Sequence, residues 1–304
     1  MLPGIASDPV SVVHEHAHPE MSRDEAPLGI AFLLIASFAV VEVLGGLFAN
    51  SLTLLADAGH MLLDASALGL SWLAVRLSRR QHSETHSYGY HRSQVLAAFV
   101  NALLLVALCG WIGFEALSRM ESPRPLLPLP ALLIATVGLV VNLLVFRMLH
   151  GTSGNLNVRS AALHVLGDLL GSCAAIAAAL LVWLFEWYLA DPILALVIIA
   201  ILLRGAWKVL SESIHILLEG VPDDLDLQVI RDTLTDRVSG VVEVHHLHAW
   251  ALTSERPMVT LHARVDEFVD EIAAAASIKA VLNENFGIDH STVQVERGPC
   301  LDDT

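Results

Sequence analysis

His60-Met-Leu-Leu-Asp64 and His164-Val-Leu-Gly-Asp168 repeat one spacing in the most apolar part of the chain. On a helix, four residues is just over one turn, so each His and Asp face the same way, stacked about 6 Å along the axis. The first pair sits in Ser51-Leu-Thr-Leu-Leu-Ala-Asp57-Ala-Gly-His60-Met-Leu-Leu-Asp64-Ala, where Asp57 extends the polar stripe by one turn. An ionisable group at a bilayer centre costs roughly 2.5–3.5 kcal/mol on insertion scales. Such a stripe must therefore face the protein interior or water. A single His between helices is ordinary interhelical hydrogen bonding. Two His-x3-Asp pairs on separate spans call for more. Their two imidazoles and two carboxylates form the four-ligand set that Zn²⁺ takes. The spacing marks His60, Asp64, His164 and Asp168 as a divalent-cation site inside a membrane.

Outward from these pairs the chain divides into apolar segments near 28–49, 52–77, 94–118, 129–149, 160–185 and 192–210. Each is about the 20 residues a spanning helix needs. Ala49-Asn50-Ser51 is too short for anything but a tight hairpin. Pro123, Pro125, Pro128 and Pro130 mark the third-to-fourth connection, and Asp191-Pro192 the fifth-to-sixth. Arg23, Arg76, Arg79, Arg80, Arg92, Arg147, Arg159, Arg204 and Lys208 fall on one side, against Arg119 and Arg124 on the other. The positive-inside rule then puts both termini in the cytoplasm. These readings predict a cytoplasmic tail over 1–27, a six-helix transmembrane domain over 28–210, and a cytoplasmic domain over 211–304.

The last domain carries most of the charge. From residue 211 there are 18 Asp/Glu against 6 Lys/Arg, within a chain of net charge −15. That surface repels nucleic acid and attracts cations. Residues 226–238 have helical spacing, 241–252 and 257–265 read as strands, 268–286 as a second helix, and 291–296 as a last strand. Helix, strand, strand, helix, strand predicts an open-faced α+β sandwich. Cys109, Cys173 and Cys300 are scattered, with no C-x-x-C pair, which predicts neither disulfides nor a thiolate metal site. The N-terminus lacks the charged and apolar regions of a cleaved signal peptide.

The 51–65 phrase, with the second His-x3-Asp in the fifth span, resembles the cation diffusion facilitators, in their zinc-transporting branch. The resemblance covers nearly the whole chain, including Val244-His245-His246-Leu-His248-Ala-Trp250. It implies a homodimer whose cytoplasmic domains look like small metallochaperones of ferredoxin-like fold. It also implies that His60, Asp64, His164 and Asp168 form the transport site. His60, where cadmium-accepting members carry Asp, implies zinc selectivity. Imidazole and carboxylate bind Zn²⁺ only when deprotonated, so metal entry displaces protons and release admits them. The expected activity is export of cytoplasmic Zn²⁺ against H⁺, in a bacterial inner membrane to which the short tail and compact loops are suited. Export of Cd²⁺, Co²⁺, Ni²⁺ or Fe²⁺ is the alternative. An intramembrane zinc hydrolase would need an open coordination position and a general base; no H-E-x-x-H occurs. A metal sensor merely anchored by the bundle would leave the intramembrane ligands without use.

Further polar residues are read with less chemistry attached. Asp57 is the best placed to support His60 from behind. Glu42 divides between a proton relay and a hydrogen-bonding role, whereas Asn101 and Asn142 read as interhelical hydrogen bonds. Glu115 and Glu186, near span ends, are expected to reach interfacial water. His82, His86 and His91, in the loop after the second span, divide between an exposed metal site and a solvated turn. His14, His16 and His18 can hold zinc loosely in the tail. On the first C-terminal strand, alternation predicts that His246 and His248 share a face opposite His245. By resemblance, His245 and His262 belong to a cytoplasmic metal site with Asp289, His290 and Glu296. Counted back from Glu296, the family's usual His position falls on Asp289, with His290 one place on. Trp250 is expected in the domain core.

Overall fold

The computed structural model describes residues 25–78, 86–150, 156–298 and 300. For 25–32, 67, 68, 70–78, 148–150 and 156–166 only the backbone course is described. Six long helices come first: α1 (Glu25–Ala49), α2 (Leu52–Ser78), α3 (Ser93–Glu121), α4 (Pro128–His150), α5 (Leu156–Phe185) and α6 (Ala190–Leu217). The shortest has 23 residues and the longest 30, about 35–45 Å at 1.5 Å per residue and enough for the hydrocarbon core. Among the described residues, four stretches are long and apolar enough to cross a membrane: Ser93–Glu121, Pro128–Arg147, Gly167–Phe185 and Ala190–Leu217. A shorter apolar stretch, Leu33–Ala49, lies in α1.

The bundle is turned inside out relative to a water-soluble protein. Leu44, Phe48, Trp111, Phe114, Leu133, Leu144 and Trp207 point outward, while Ala39, Ala58, Ala116, Ala135, Ala178 and Ala195 are buried. Lipid is as apolar as any core, so large side chains lose nothing outside, and small ones let helix backbones approach. α3 packs chiefly on α6 and α4 on α5, with α1 against α2 and α4. α2 is the shared seam. Its Leu52 and Ala56 join Cys109, Ile112, Ala195 and Ile199 of α3 and α6, while its Leu54 joins Ala131, Ala135, Ala175 and Ala179 of α4 and α5.

The 49–51 hairpin is as tight as the sequence predicts. Asn50 takes a left-handed φ of 56°, which Asn tolerates better than most residues. Arg119 donates to its carbonyl and its Oδ1, both at 2.7 Å. Glu115 accepts from Arg119 at 3.0 Å and Arg124 at 2.8 Å, so the α1–α2 turn is held by an ion-pair network at the end of α3 and just beyond it.

α6 continues as one helix to Leu217, past residue 210 where the apolar span ends. Then follow α7 (Leu227–Arg237), β1 (Val241–Thr253), β2 (Arg256–Val265), α8 (Glu271–Phe286) and β3 (His290–Glu296). The sheet runs β1-β2-β3, with β1/β2 antiparallel and β2/β3 parallel through α8. α8 starts at Glu271 rather than 268 because Asp270 caps it, accepting from the amides of Ile272 and Ala273. Ile230 and Leu234 of α7 and Ile278 and Leu282 of α8 cover one sheet face, packing on Val244, Leu247, Val259, Leu261 and Ala263. The other face is left open and polar.

Candidate metal centres

α2 and α5 bring the first site together deep in the bundle. His60 Nδ1 lies 3.2 Å from Asp64 Oδ2, as the four-residue spacing requires, and His60 Nε2 lies 4.0 Å from Asp168 Oδ1 of α5. Asp168 is 1% exposed, whereas the side chains of His60 and Asp64 retain 21% and 27%. Two metal–ligand bonds of about 2.0–2.2 Å span a gap of this width. The side chain of His164 lies outside the described residues. Its helix is described, and it precedes Asp168 by one turn on the same face.

Behind this trio is a dry polar layer. Glu42 of α1 is fully buried, and its carboxyl interacts with those of Asp57 and Asp168. Asp57 accepts from Ser172 Oγ at 3.5 Å, and Asn142 Nδ2 donates to the same hydroxyl at 3.4 Å. Asp57 thus reaches α5, and Asn142 makes the interhelical bond expected of it. Gly171 makes the approach possible, because a methyl group there would run into the Asp57 carboxylate. Sequence reasoning passed over Ser172 and Gly171; a Ser and a Gly in an apolar helix carry no signal of their own.

The second site lies on the open face of the sheet. β1 pairs His245 with His262, and β2 sets His262 beside Gln294, two residues before Glu296. Glu296 Oε2 lies 3.1 Å from His245 Nε2, and its Oε1 lies 3.1 Å from His262 Nδ1. Cys300 Sγ follows at 3.4 Å from His262 Nδ1. Among the described residues these four offer one N, O or S atom each, all within 4.8 Å of one another. Partial burial raises the Glu296 carboxyl, but the Gln294 amide and the imidazoles of His262 and His245 outweigh it and hold it below the ordinary glutamate range.

Several expectations change here. Strict alternation fails on β1, because the register slips between His245 and His248, with His246 at a left-handed φ of 44°. This bulge turns His246 onto the same side as its neighbour. Its ring stacks on His262 at 5.1 Å and meets His245 edge-on at 5.6 Å. Asp289 and His290 are not part of the cluster. They sit at the opposite end of β3 from Glu296, where Asp289 accepts from Asn283 and His290 meets Tyr88 edge-on at 6.4 Å. Cys300, expected to stay apart from any metal site, joins it instead. Its partner is 38 residues away, and no spacing rule reaches that far.

In the α2–α3 loop, His82 lies outside the described residues, as do the tail histidines. His86 stacks on Tyr90 at 4.4 Å, and the His91 ring meets the Arg256 guanidinium at 3.0 Å. Trp250 is half-buried on the open face, lining a cavity of about 480 Å³ with Tyr88, Arg92, Glu219 and His248 rather than filling the core.

The comparisons with known proteins agree with this architecture. Residues 28–218 match the cation efflux transmembrane domain, and residues 222–298 the cytoplasmic domain of cation efflux proteins. The zinc transporter ZitB of Pectobacterium atrosepticum is 45% identical over 294 residues, which is 96% of this chain and 91% of that protein. The cadmium, cobalt and zinc/H⁺-K⁺ antiporter of Bacillus subtilis is 37% identical over 286 residues, 92% of this chain and 91% of that one. Among solved structures, the metal-bound C-terminal domain of the CzcD transporter from Cupriavidus metallidurans is 34% identical. It spans 24% of this chain and 99% of that domain at a TM-score of 0.23. The chain belongs to the cation efflux family of membrane transporters, the cation diffusion facilitators, and is not an enzyme.

Proposed function

We propose that this protein exports Zn²⁺ from the cytoplasm in exchange for H⁺, through a site made of His60, Asp64, His164 and Asp168. The supporting observation is the convergence of His60, Asp64 and Asp168 from two helices in a bundle interior, with Asp168 removed from solvent. A carboxylate there is stable only when it is protonated, paired or bound to a cation. Zn²⁺ takes imidazole and carboxylate in their deprotonated forms, so metal and protons compete for the same atoms. That competition is the coupling. Metal arriving from one side expels protons, and protons arriving from the other expel metal once the bundle has changed access.

The same reading places residues 1–27 and 211–304 in the cytoplasm on either side of the 28–210 membrane domain, in a bacterial inner membrane. Two copies associate through their C-terminal domains. There His245, His262, Glu296 and Cys300 hold a second Zn²⁺, a donor set of two nitrogens, one oxygen and one sulfur that suits this ion. Held on the sheet of the C-terminal domain, that ion stabilises or regulates rather than travels.

Reconstitution in liposomes with an imposed pH gradient tests the reading. Zinc uptake should follow the gradient, and His164→Ala or Asp64→Ala should abolish it. A rate indifferent to the gradient would reject proton coupling. Equal uptake of Cd²⁺, Co²⁺, Ni²⁺ or Fe²⁺ would reject zinc selectivity while leaving export intact.

A further inference from the structure

Asp191 opens α6, is 2% exposed, and turns its carboxylate toward the start of a different helix. Its Oδ2 accepts from the amide of Leu52 at 2.7 Å, and its Oδ1 accepts from the Ser51 hydroxyl at 2.7 Å and the amide of Thr53 at 3.1 Å. The Thr53 hydroxyl donates to the Asp191 carbonyl at 2.9 Å, and the amide of Leu54 donates to Ser51 Oγ at 3.3 Å. The first amides of a helix have no partner within it. Here the first three of α2 are all satisfied, two by a carboxylate from another helix. The anion also meets the positive end of the α2 dipole.

Packing changes along α2 from this end onward. Leu52, Thr53, Leu54, Ala56 and Asp57 are at most 2% exposed, whereas His60 and Asp64 are partly open and Ser66 and Gly69 are exposed. The start of the helix is bolted and buried, whereas beyond Asp57 the buried Ala58 and Met61 are interspersed with the partly open His60 and Asp64.

We infer that Asp191 is the fixed end about which α2 turns. It is a positioning residue that keeps the start of α2 on α6 while the part carrying His60 and Asp64 moves. The inference rests on the transport reading above. A gate at this end would have to break three bonds to a buried anion at every turnover. Hydrogen bonds to an ionised acceptor are roughly twice as strong as neutral ones, so the seam gives more readily elsewhere.

Pulsed electron paramagnetic resonance on the full-length protein in liposomes reads this directly. Spin labels at exposed positions 48 and 187 flank the bolted end, and labels at exposed positions 66 and 209 lie toward the other end. Labelled protein is diluted with unlabelled protein so that distances arise within one protomer. On adding Zn²⁺, the 48–187 distance should hold within about 2 Å while the 66–209 distance shifts by more. In Asp191→Asn, the 48–187 distribution should broaden. The maximal rate of Zn²⁺ uptake should fall at least about tenfold, with half-saturation changed less than about threefold. Ser51→Ala and Thr53→Val each remove one hydroxyl bond to Asp191 and should give intermediate rates, which covers the case of an unstable Asp191→Asn. A 48–187 distance that moves as far as the other would overturn the inference, as would an Asp191→Asn protein that transports at the full rate. Wild-type protein that moves no Zn²⁺ would overturn the transport reading itself.

Discussion

The two candidate metal centres differ in how the chain builds them. In the bundle, His60 and Asp64 are neighbours because a helix makes them so, and a second helix repeats the device with His164 and Asp168. On the sheet, His245, His262, Glu296 and Cys300 come from two paired strands, a third strand and the chain beyond it. The first site is enclosed by helices that change partners along their length; the second sits on a hydrogen-bonded sheet with one face fully packed. On the proposed reading, the bundle site gives up its ion and the sheet site keeps it, and the two frames suit those roles. The exposures differ as well: in the bundle Asp168 is almost wholly buried while His60 and Asp64 are partly open, whereas on the sheet His245, His262 and Glu296 are all partly buried.

The sharpest break would come from Asp168→Ala. Losing a ligand should cost at least about 100-fold in Zn²⁺ transport, since even residues that only orient ligands are worth 10–100-fold in metal affinity. Transport by that variant at more than a tenth of the normal rate would remove the distinction between the sites.

Gly171→Ala comes next. The added methyl group must displace Asp57 or part α5 from α2, and overpacking of this kind costs about 1–3 kcal/mol. A lower melting temperature in detergent together with slower transport is expected. An unchanged melting temperature would mean that the approach of Asp57 to α5 is not tight.

His262→Ala sharpens the contrast from the other side. One Zn²⁺ fewer per protomer should remain bound at equilibrium, while liposome transport stays within about threefold of normal, because in the proposed mechanism the travelling ion does not pass this site. Transport falling as far as it does in Asp168→Ala would merge the two centres into one pathway.

The smallest effect is expected from Cys300→Ser, which keeps the shape but exchanges a thiolate for a harder, less acidic oxygen. Affinity at the sheet site should fall by about tenfold. X-ray absorption should lose a zinc–sulfur distance of about 2.3 Å. Its absence from the unaltered protein would remove Cys300 from the ligand set.

What could be read without the fold has a common cause. Helix periodicity and apolar length are local properties, so all six long helices, the 49–51 hairpin and the facing of His60 with Asp64 follow from neighbours a few residues apart. The order of elements in the C-terminal domain follows likewise from helical spacing and strand alternation, though not the start of α8, which the Asp270 cap moved from 268 to Glu271. Local rules failed at His246, where one extra residue on β1 turned a side chain that alternation sends elsewhere. They also failed for Trp250, which lines the cavity shared with Tyr88 and Arg92 rather than filling the core.

The sequence by itself determined that this is a helical membrane protein with intramembrane His–Asp pairs and an acidic α+β domain, because hydropathy and side-chain spacing act within one element. Only the tertiary structure decided which elements meet. It set Asp168 beside His60, Glu42 and Ser172 beside Asp57, Asp191 at the start of α2, and Cys300 against His262, with Asp289 and His290 left at the far end of their strand. Packing, strand register and a single bulge made those choices, and each depends on atoms tens of residues apart along the chain.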